Sequence, residues 1–241
     1  MDISSLPTKP TKGTEKRAGK DHLKTLRNEL AELQNMFYAD GRFGLLIVLQ
    51  GMDASGKDGV CRHVMSAMNP MGVQVTSFKK PTEAELDHDF LWRIYPHFPA
   101  RGMIEVFNRS YYEDILMPMV GGDLSQVIID QRFELINAIE RHLEVSNIHV
   151  LKFFLHISRE EQKERIVERK TIAHKKWKYS HADEFTDKKW NTFQEMYNYV
   201  LGNSSHNPWH IIPADKRWYR NEQVALVIRD HLKGLGLEYP G

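Results

Sequence analysis

The stretch Gly51-Met52-Asp53-Ala54-Ser55-Gly56-Lys57-Asp58-Gly59 contains the spacing Gly-x-x-x-x-Gly-Lys, which suits the holding of phosphate. Glycines let a backbone wrap closely round an anion. The N–H groups of the loop, centred on Ala54, Ser55 and Gly56, can then point at phosphate oxygens. A helix starting near Gly56 adds the positive end of its dipole, and Lys57 adds a mobile point charge. Two residues depart from the usual form. Asp58 stands where Ser or Thr commonly ligates Mg²⁺. Asp53 puts a carboxylate inside the loop, where it would repel phosphate unless a cation lay between them. Asp53 is therefore expected to hold Mg²⁺, with Mn²⁺ able to replace it, against a phosphate chain.

Further cations could face the same anion: Arg62 in the helix after the loop, Lys79 and Lys80 behind a second strand, and Arg109 behind a third. Arg109 belongs to Asn108-Arg109-Ser110-Tyr111-Tyr112-Glu113-Asp114. Asn108 occupies the place where many loops of this kind are faced by a metal-supporting Asp. An amide is neutral, so the negative charge must come from Asp53, Asp58, Glu113 or Asp114. Asn108, Glu113 and Asp114 are expected at a nucleotide, and Asp114 is expected to join Asp53 at the metal. The plainer readings are an Arg109–Glu113 ion pair at i,i+4 and two acids favouring the first turn of a helix. Residues 169–178 hold five cations and no acid, among them Arg169, Lys175, Lys176 and Lys178, with Trp177 between them. Such a run is either a solvated face or a lid that closes on phosphate. Phosphoryl transfer needs alignment and cations more than covalent help. No His/Asp/Ser constellation demands a base, which favours a phosphate acceptor, already anionic at neutral pH.

These groups need elements to carry them. Phe43–Leu49 is continuously apolar, as a central parallel strand should be. Strands are expected also at Gly72–Phe78, Met103–Phe107, Ile148–Ile157 and His210–Pro213. Helices are expected from Asp21, after the loop to about Met68, from Thr82 through Leu86, Phe90, Leu91 and Ile94, and over Leu124–Leu143, Arg159–Arg169, Asp187–Leu201 and Asn221–Leu235. The alternation predicts a doubly wound, parallel α/β sheet, whose ligands bind at the carboxyl ends of the strands. The loop, Lys79-Lys80 and Asn108–Asp114 all reach that edge independently. Residues 1–20, rich in Lys, Thr, Pro and Gly, read as a mobile arm. The domain is then 21–241, with a lid at about 169–186. Leu23, Leu26, Leu30, Leu33 and Phe37 share one helix face, which packs on the domain or supports a dimer or tetramer.

Composition narrows the class. The chain has 241 residues, 41% of them apolar and 27% charged, with a net charge of +1. Affinity for a polyanion must therefore come from charge gathered locally, and nucleic acid is not an expected partner. No run approaches about 18 apolar residues, so no membrane is expected either. The single cysteine, Cys61, cannot form an internal disulfide and fits a reducing cytoplasm. Twelve histidines without metal-ligand spacing argue against zinc.

At this level the chain resembles the polyphosphate kinase 2 family, Mg²⁺-dependent enzymes that pass phosphate between inorganic polyphosphate and nucleotides. The resemblance runs from about residue 22 to residue 235. It rests on Gly51–Gly59, Asp89-Phe90-Leu91-Trp92-Arg93, Pro99-x-Arg101-Gly102, Phe107-Asn108-Arg109-Ser110-x-Tyr112-Glu113-Asp114, Lys176-Trp177-Lys178, Pro208-Trp209 and Pro213-Ala214-Asp215-Lys216. It implies a P-loop kinase fold like that of thymidylate kinase, with a helical lid, and catalytic roles for Asp53, Lys57 and Arg109. Tyr112-Glu113-Asp114 is similar to the subgroup acting on AMP as well as ADP. The lid departs from the family's frequent Asp-Pro-x-Lys-Arg-Trp-Lys by carrying Lys176 in place of Arg, which keeps charge but loses bidentate geometry. Two other readings compete: an ATP-dependent nucleoside monophosphate kinase, and a non-catalytic nucleotide sensor.

Overall fold

The computed structural model describes residues 2–204 and 206–241, and of His181 and Ala182 the backbone alone. Its elements in chain order are α1 (Lys16–Asp40), β1 (Gly44–Gln50), α2 (Lys57–His63), β2 (Val73–Ser77), α3 (Glu83–Leu86), β3 (Ile104–Asn108), α4 (Glu113–Gly121) and α5 (Gln126–Val145). They continue with β4 (Ile148–His156), α6 (Arg159–Thr171), α7 (His181–Lys188), α8 (Trp190–Asn203), β5 (Trp209–Pro213) and α9 (Arg217–Gly234). The five strands form one parallel sheet in the order β2-β3-β1-β4-β5. Every residue of β1 is buried, as a strand covered by helices on both faces requires. The expected doubly wound α/β architecture is therefore the observed one.

Register decides where the chemistry goes. Leu49 of β1 lies opposite Asn108 of β3, and the Arg109 N–H donates to the Leu49 carbonyl at 3.0 Å. The loop after β1 and the segment after β3 therefore leave the sheet side by side. Lys79 and Lys80 follow β2, one strand further out, because β3 stands between β2 and β1.

Two expectations change, and one open choice is decided. The helix from Thr82 begins with the capping box of Thr82 and Glu85 but lasts a single turn. The Asp89 side chain then takes the Leu91 N–H at 3.0 Å, a local bond that competes with helix propagation. Residues 2–15, expected as a mobile arm, are anchored. Ile3 is buried and its N–H donates to Asn198 Oδ1 at 2.8 Å, while Thr8 bonds Asp215 through both its hydroxyl and its carbonyl. One apolar side chain and one buried carboxylate suffice to tie down an otherwise polar segment, and α1 starts at Lys16 rather than Asp21. Finally, Leu26, Leu30 and Phe37 of α1 are buried against α9, whose Val224, Ala225, Ile228 and Leu232 are also fully covered. The leucine face is spent inside the chain and gives no support to an oligomer.

Candidate active site

The loop after β1 turns through two positions of positive φ that matter. Gly51 has φ 143°, and a Cβ there would stand 2.7 Å from the Leu155 carbonyl oxygen. Gly56 has φ 108°, and a Cβ there would run into the Arg220 guanidinium. Glycine is required at both on steric grounds. Lys57 opens α2, is almost wholly buried, and donates to the carbonyls of Gly51 (2.6 Å) and Met52 (3.2 Å). Burial, and then the charge of Arg109, pull its pKa down to about 8 against the pull of Asp53 and Glu113.

Arg109 sits at φ 65°, an uncommon conformation for arginine. Its guanidinium bonds the Asp53 carboxylate and lies 3.6 Å from Glu113. The negative charge of Glu113, above all, raises its pKa further. Glu113 also accepts from Gln50 Nε2 at 3.0 Å. The i,i+4 pair read as the plainer role of Arg109 thus exists, together with a second carboxylate from the loop. Tyr197 of α8 is buried beside Asp53, Arg109 and Glu113.

The lid reaches the site through Lys178, whose Nζ donates to Asp58 at 2.8 Å. Asn108 donates to the other oxygen of Asp58 at 3.0 Å and to Ser77 Oγ at 3.3 Å. Partial burial would raise the pKa of Asp58, but the bonds from Lys178 and Asn108 outweigh it and hold the group at about 2. Lys175 pairs with Glu168 at 2.6 Å and Arg169 with Asp183 at 2.6 Å. Residues 173–178 form a 3₁₀ turn, with Lys176 and Trp177 exposed.

Not every expected residue converges. Asp114 is held by Arg93 at 2.9 Å, and its carboxylate shares no hydrogen-bond partner with Asp53 among the described residues. Arg62 lies exposed in the last turn of α2. Lys79 and Lys80 are exposed at the edge strand, and the Lys79 carbonyl accepts from Arg93 at 2.8 Å.

Three supporting residues escaped the sequence. Gln162 donates to the Asp53 carbonyl at 3.0 Å. Arg165 donates to the carbonyls of Ala54 (3.0 Å), Ser55 (2.9 Å), Ala214 (2.7 Å) and Asp215 (2.9 Å). Arg220 donates to the Ser55 carbonyl at 3.1 Å, and burial followed by the charges of Arg165 and Arg217 lowers its pKa. By holding the loop's carbonyls from behind, these side chains fix which way its N–H groups face. Their only sequence trace is polar or cationic residues inside otherwise amphipathic helices, on faces that the helix period assigns to the core.

Among the described residues no three His, Cys, Asp or Glu side chains are grouped as a metal cage. Mg²⁺ does not need one, since it is commonly bound by one or two carboxylates, substrate phosphates and water. Asp53 and Glu113, two hard oxygen donors on either side of Arg109, fit that requirement. Asp114 pairs with Arg93 rather than with the Arg109 that Asp53 and Glu113 share, so it stands outside that set.

The sequence profile of the family described as polyphosphate kinase 2 matches residues 13–238. An AMP/ADP-polyphosphate phosphotransferase of Meiothermus ruber is 41% identical over 227 residues, covering 93% of this chain and 85% of that protein. An ADP-polyphosphate phosphotransferase of Rhodopseudomonas palustris is 38% identical over 258 residues, covering 100% of this chain and 88% of that protein. The crystal structure of polyphosphate kinase 2 from Arthrobacter aurescens TC1 superposes with a TM-score of 0.96 at 38% identity, over 100% of this chain and 88% of that one. With the loop, the paired Arg109 and Asp53 and the lid on one sheet edge, this chain belongs to the polyphosphate kinase 2 family.

Proposed function

We propose that the protein transfers phosphate reversibly between inorganic polyphosphate and the nucleotides AMP and ADP. The observation that carries this reading is the meeting of Lys57, Asp53 and Arg109 at the carboxyl ends of β1 and β3. In the synthetic direction a terminal phosphate oxygen of the nucleotide attacks the terminal phosphorus of the polymer. The bond to the next phosphate breaks, and the polymer leaves one unit shorter. Lys57 and the N–H groups of the loop bind one phosphate chain. Arg109 offers its guanidinium to charge developing on the transferred group. Asp53 and Glu113 keep that guanidinium at the mouth of the loop. Mg²⁺, or Mn²⁺ in its place, would be held by Asp53 and Glu113 beside Arg109 and would supply positive charge against the phosphates. Lys175, Lys176 and Lys178 would close over the polymer, Lys175 and Lys178 exchanging their carboxylate partners for phosphate. The acceptor is already an anion, so no side chain has to remove a proton.

Acceptance of AMP as well as ADP is supported by the name of the Meiothermus ruber relative and by Glu113 beside Arg109. AMP has one phosphate fewer and must sit deeper for its oxygen to reach the same in-line position. Cytoplasmic location is proposed from the free thiol of Cys61. Association into a homo-oligomer falls to another surface, such as the α5 face bearing the exposed Ile128 and Leu135. Chromatography of a reaction holding AMP, Mg²⁺ and long-chain polyphosphate tests the reading. ADP followed by ATP is the expected result. AMP left intact while ADP is converted in parallel removes AMP from the substrates, and no conversion of either removes the function.

A further inference from the structure

We propose that the amino-terminal segment and the first turns of α1 form a second binding surface, for units of the polyphosphate chain beyond the catalytic crevice. The proposal rests on polyphosphate being the substrate and adds a place for the part of the polymer that the loop and lid do not cover.

Topology puts this surface on the right edge. The end of α1 leads into the amino end of β1, so the start of α1 lies at the carboxyl edge, where the phosphate loop also lies. The start of α9 follows the carboxyl end of β5 and shares that edge. The two starts touch. A Cβ at Gly19 would stand 2.2 Å from the Trp218 ring, so only glycine allows α1 this close to α9. Thr8 is tied to Asp215, which brings Lys9 to the same corner as Lys216 and Arg217.

A line of cations then runs outward from the lid. Arg217, in the first turn of α9, bonds Glu168 at 2.6 Å, and Glu168 also bonds the lid's Lys175. Beyond the Gly19–Trp218 contact lie Lys16, Arg17 and Lys20, with Lys9 and Lys12 ahead of them, all exposed. None of these five side chains has a hydrogen bond or ion pair among the described residues. Residues 9–20 carry five cations and one acid, Glu15, whereas the whole chain carries a net +1. This local excess of exposed cations suits an anionic partner, even with Asp21 and Glu222 beside it. A linear polymer bearing negative charge on every unit fits it. Nucleic acid fits less well, because single strands are held by exposed aromatic platforms and Trp218 is packed against Gly19.

The test replaces Lys16, Arg17 and Lys20 together by Gln, which keeps the helix propensity of α1 and touches no residue of the catalytic site. With long-chain polyphosphate the variant should show a KM raised at least about fivefold and a shallower dependence on salt. Its KM for ADP and its kcat should stay within about twofold of the parent. An unchanged KM for polyphosphate, or an equal rise in both KM values, overturns the proposal. Calorimetric titration with polyphosphate in the absence of nucleotide separates the two claims. If the parent protein transfers no phosphate, the proposed function falls, yet weaker polymer binding by the variant still supports this surface. Duplex DNA displacing the polymer at equal phosphate concentration would overturn its assignment to polyphosphate.

Discussion

The two sides of the site use their long polar side chains in opposite ways. Behind the phosphate loop, Gln162, Arg165 and Arg220 are buried and spend their donors on backbone carbonyls. Across from it, the lid's Lys178 and Lys175 remain partly exposed and pair with carboxylates, Asp58 and Glu168. A buried guanidinium has lost its water and depends on every hydrogen bond it makes. An exposed ion pair contributes on the order of 0 to 1 kcal/mol and is screened by salt. The loop is therefore fixed when the protein folds, and the lid can exchange its partners cheaply. Asp58 illustrates the exchange. It stands where related loops carry a hydroxyl, and it holds the lid lysine that a phosphate would claim.

The largest effect should come from breaking the rigid side. Replacing Arg165 by Met removes the donor to four carbonyls and leaves Glu161, its 2.9 Å partner, without a counter-charge. A loss of about 3 kcal/mol of stability is expected, read from the denaturant midpoint. A loss below about 1 kcal/mol would mean that the loop does not depend on this support.

Lys57→Ala should act on rate instead. Its ammonium is positioned by the loop itself, so turnover should fall at least about a hundredfold, on the order of 2.7 kcal/mol. Retention of a third of the parent turnover would remove Lys57 from the chemistry. The pH profile sharpens the same point. The pKa of Lys57 is depressed to about 8 in the folded chain. Between that value and the ordinary lysine value, the unfolded chain binds more protons than the folded one, so this group makes stability rise with pH across that window. Activity should move the other way, because the charged form binds phosphate. A basic limb near pH 8 is expected in kcat/KM, which reports the free enzyme. The limb should lie higher in kcat, because bound phosphate favours the ammonium. A kcat/KM flat to about pH 10 would contradict this.

How much of this the sequence disclosed follows the same division. The loop, Arg109 and the parallel alternation were legible because each is local: a spacing, a strand end, a period. The site's convergence followed from the sheet rule, and the register of Leu49 with Asn108 makes it concrete. What stayed hidden depends on contacts over long sequence separation. Arg165 and Arg220 reach the loop across more than a hundred residues, and their helices read as ordinary charged helices. The anchoring of the amino-terminal segment rests on Ile3 and on Asp215, at opposite ends of the chain. Asp114, adjacent to Glu113 and chemically equivalent, reads in the sequence as a partner of Asp53 at the metal, whereas in the fold it pairs with Arg93. Sequence spacing alone could not tell the two acids apart.

The smallest effect on stability should come from the lid. Replacing Lys175, Lys176 and Lys178 together by Gln removes the pairs with Glu168 and Asp58, both partly exposed. The denaturant midpoint should therefore shift by less than about 1 kcal/mol. The kinetic signature is separate. If these lysines grip the polymer, the KM for polyphosphate should rise well above any change in the KM for ADP, and the difference should narrow as salt is added. Lys178 complicates the sign, because in the parent it must leave Asp58 before it can meet phosphate, and that departure costs the polymer part of its binding energy. Asp58→Asn should weaken the Lys178 contact while leaving an oxygen to accept it. It should therefore lower the KM for polyphosphate, the reverse of the lysine substitutions. Opposite shifts from the two sides of one ion pair distinguish a competing partner from a merely structural bridge, for which both changes would weaken binding alike.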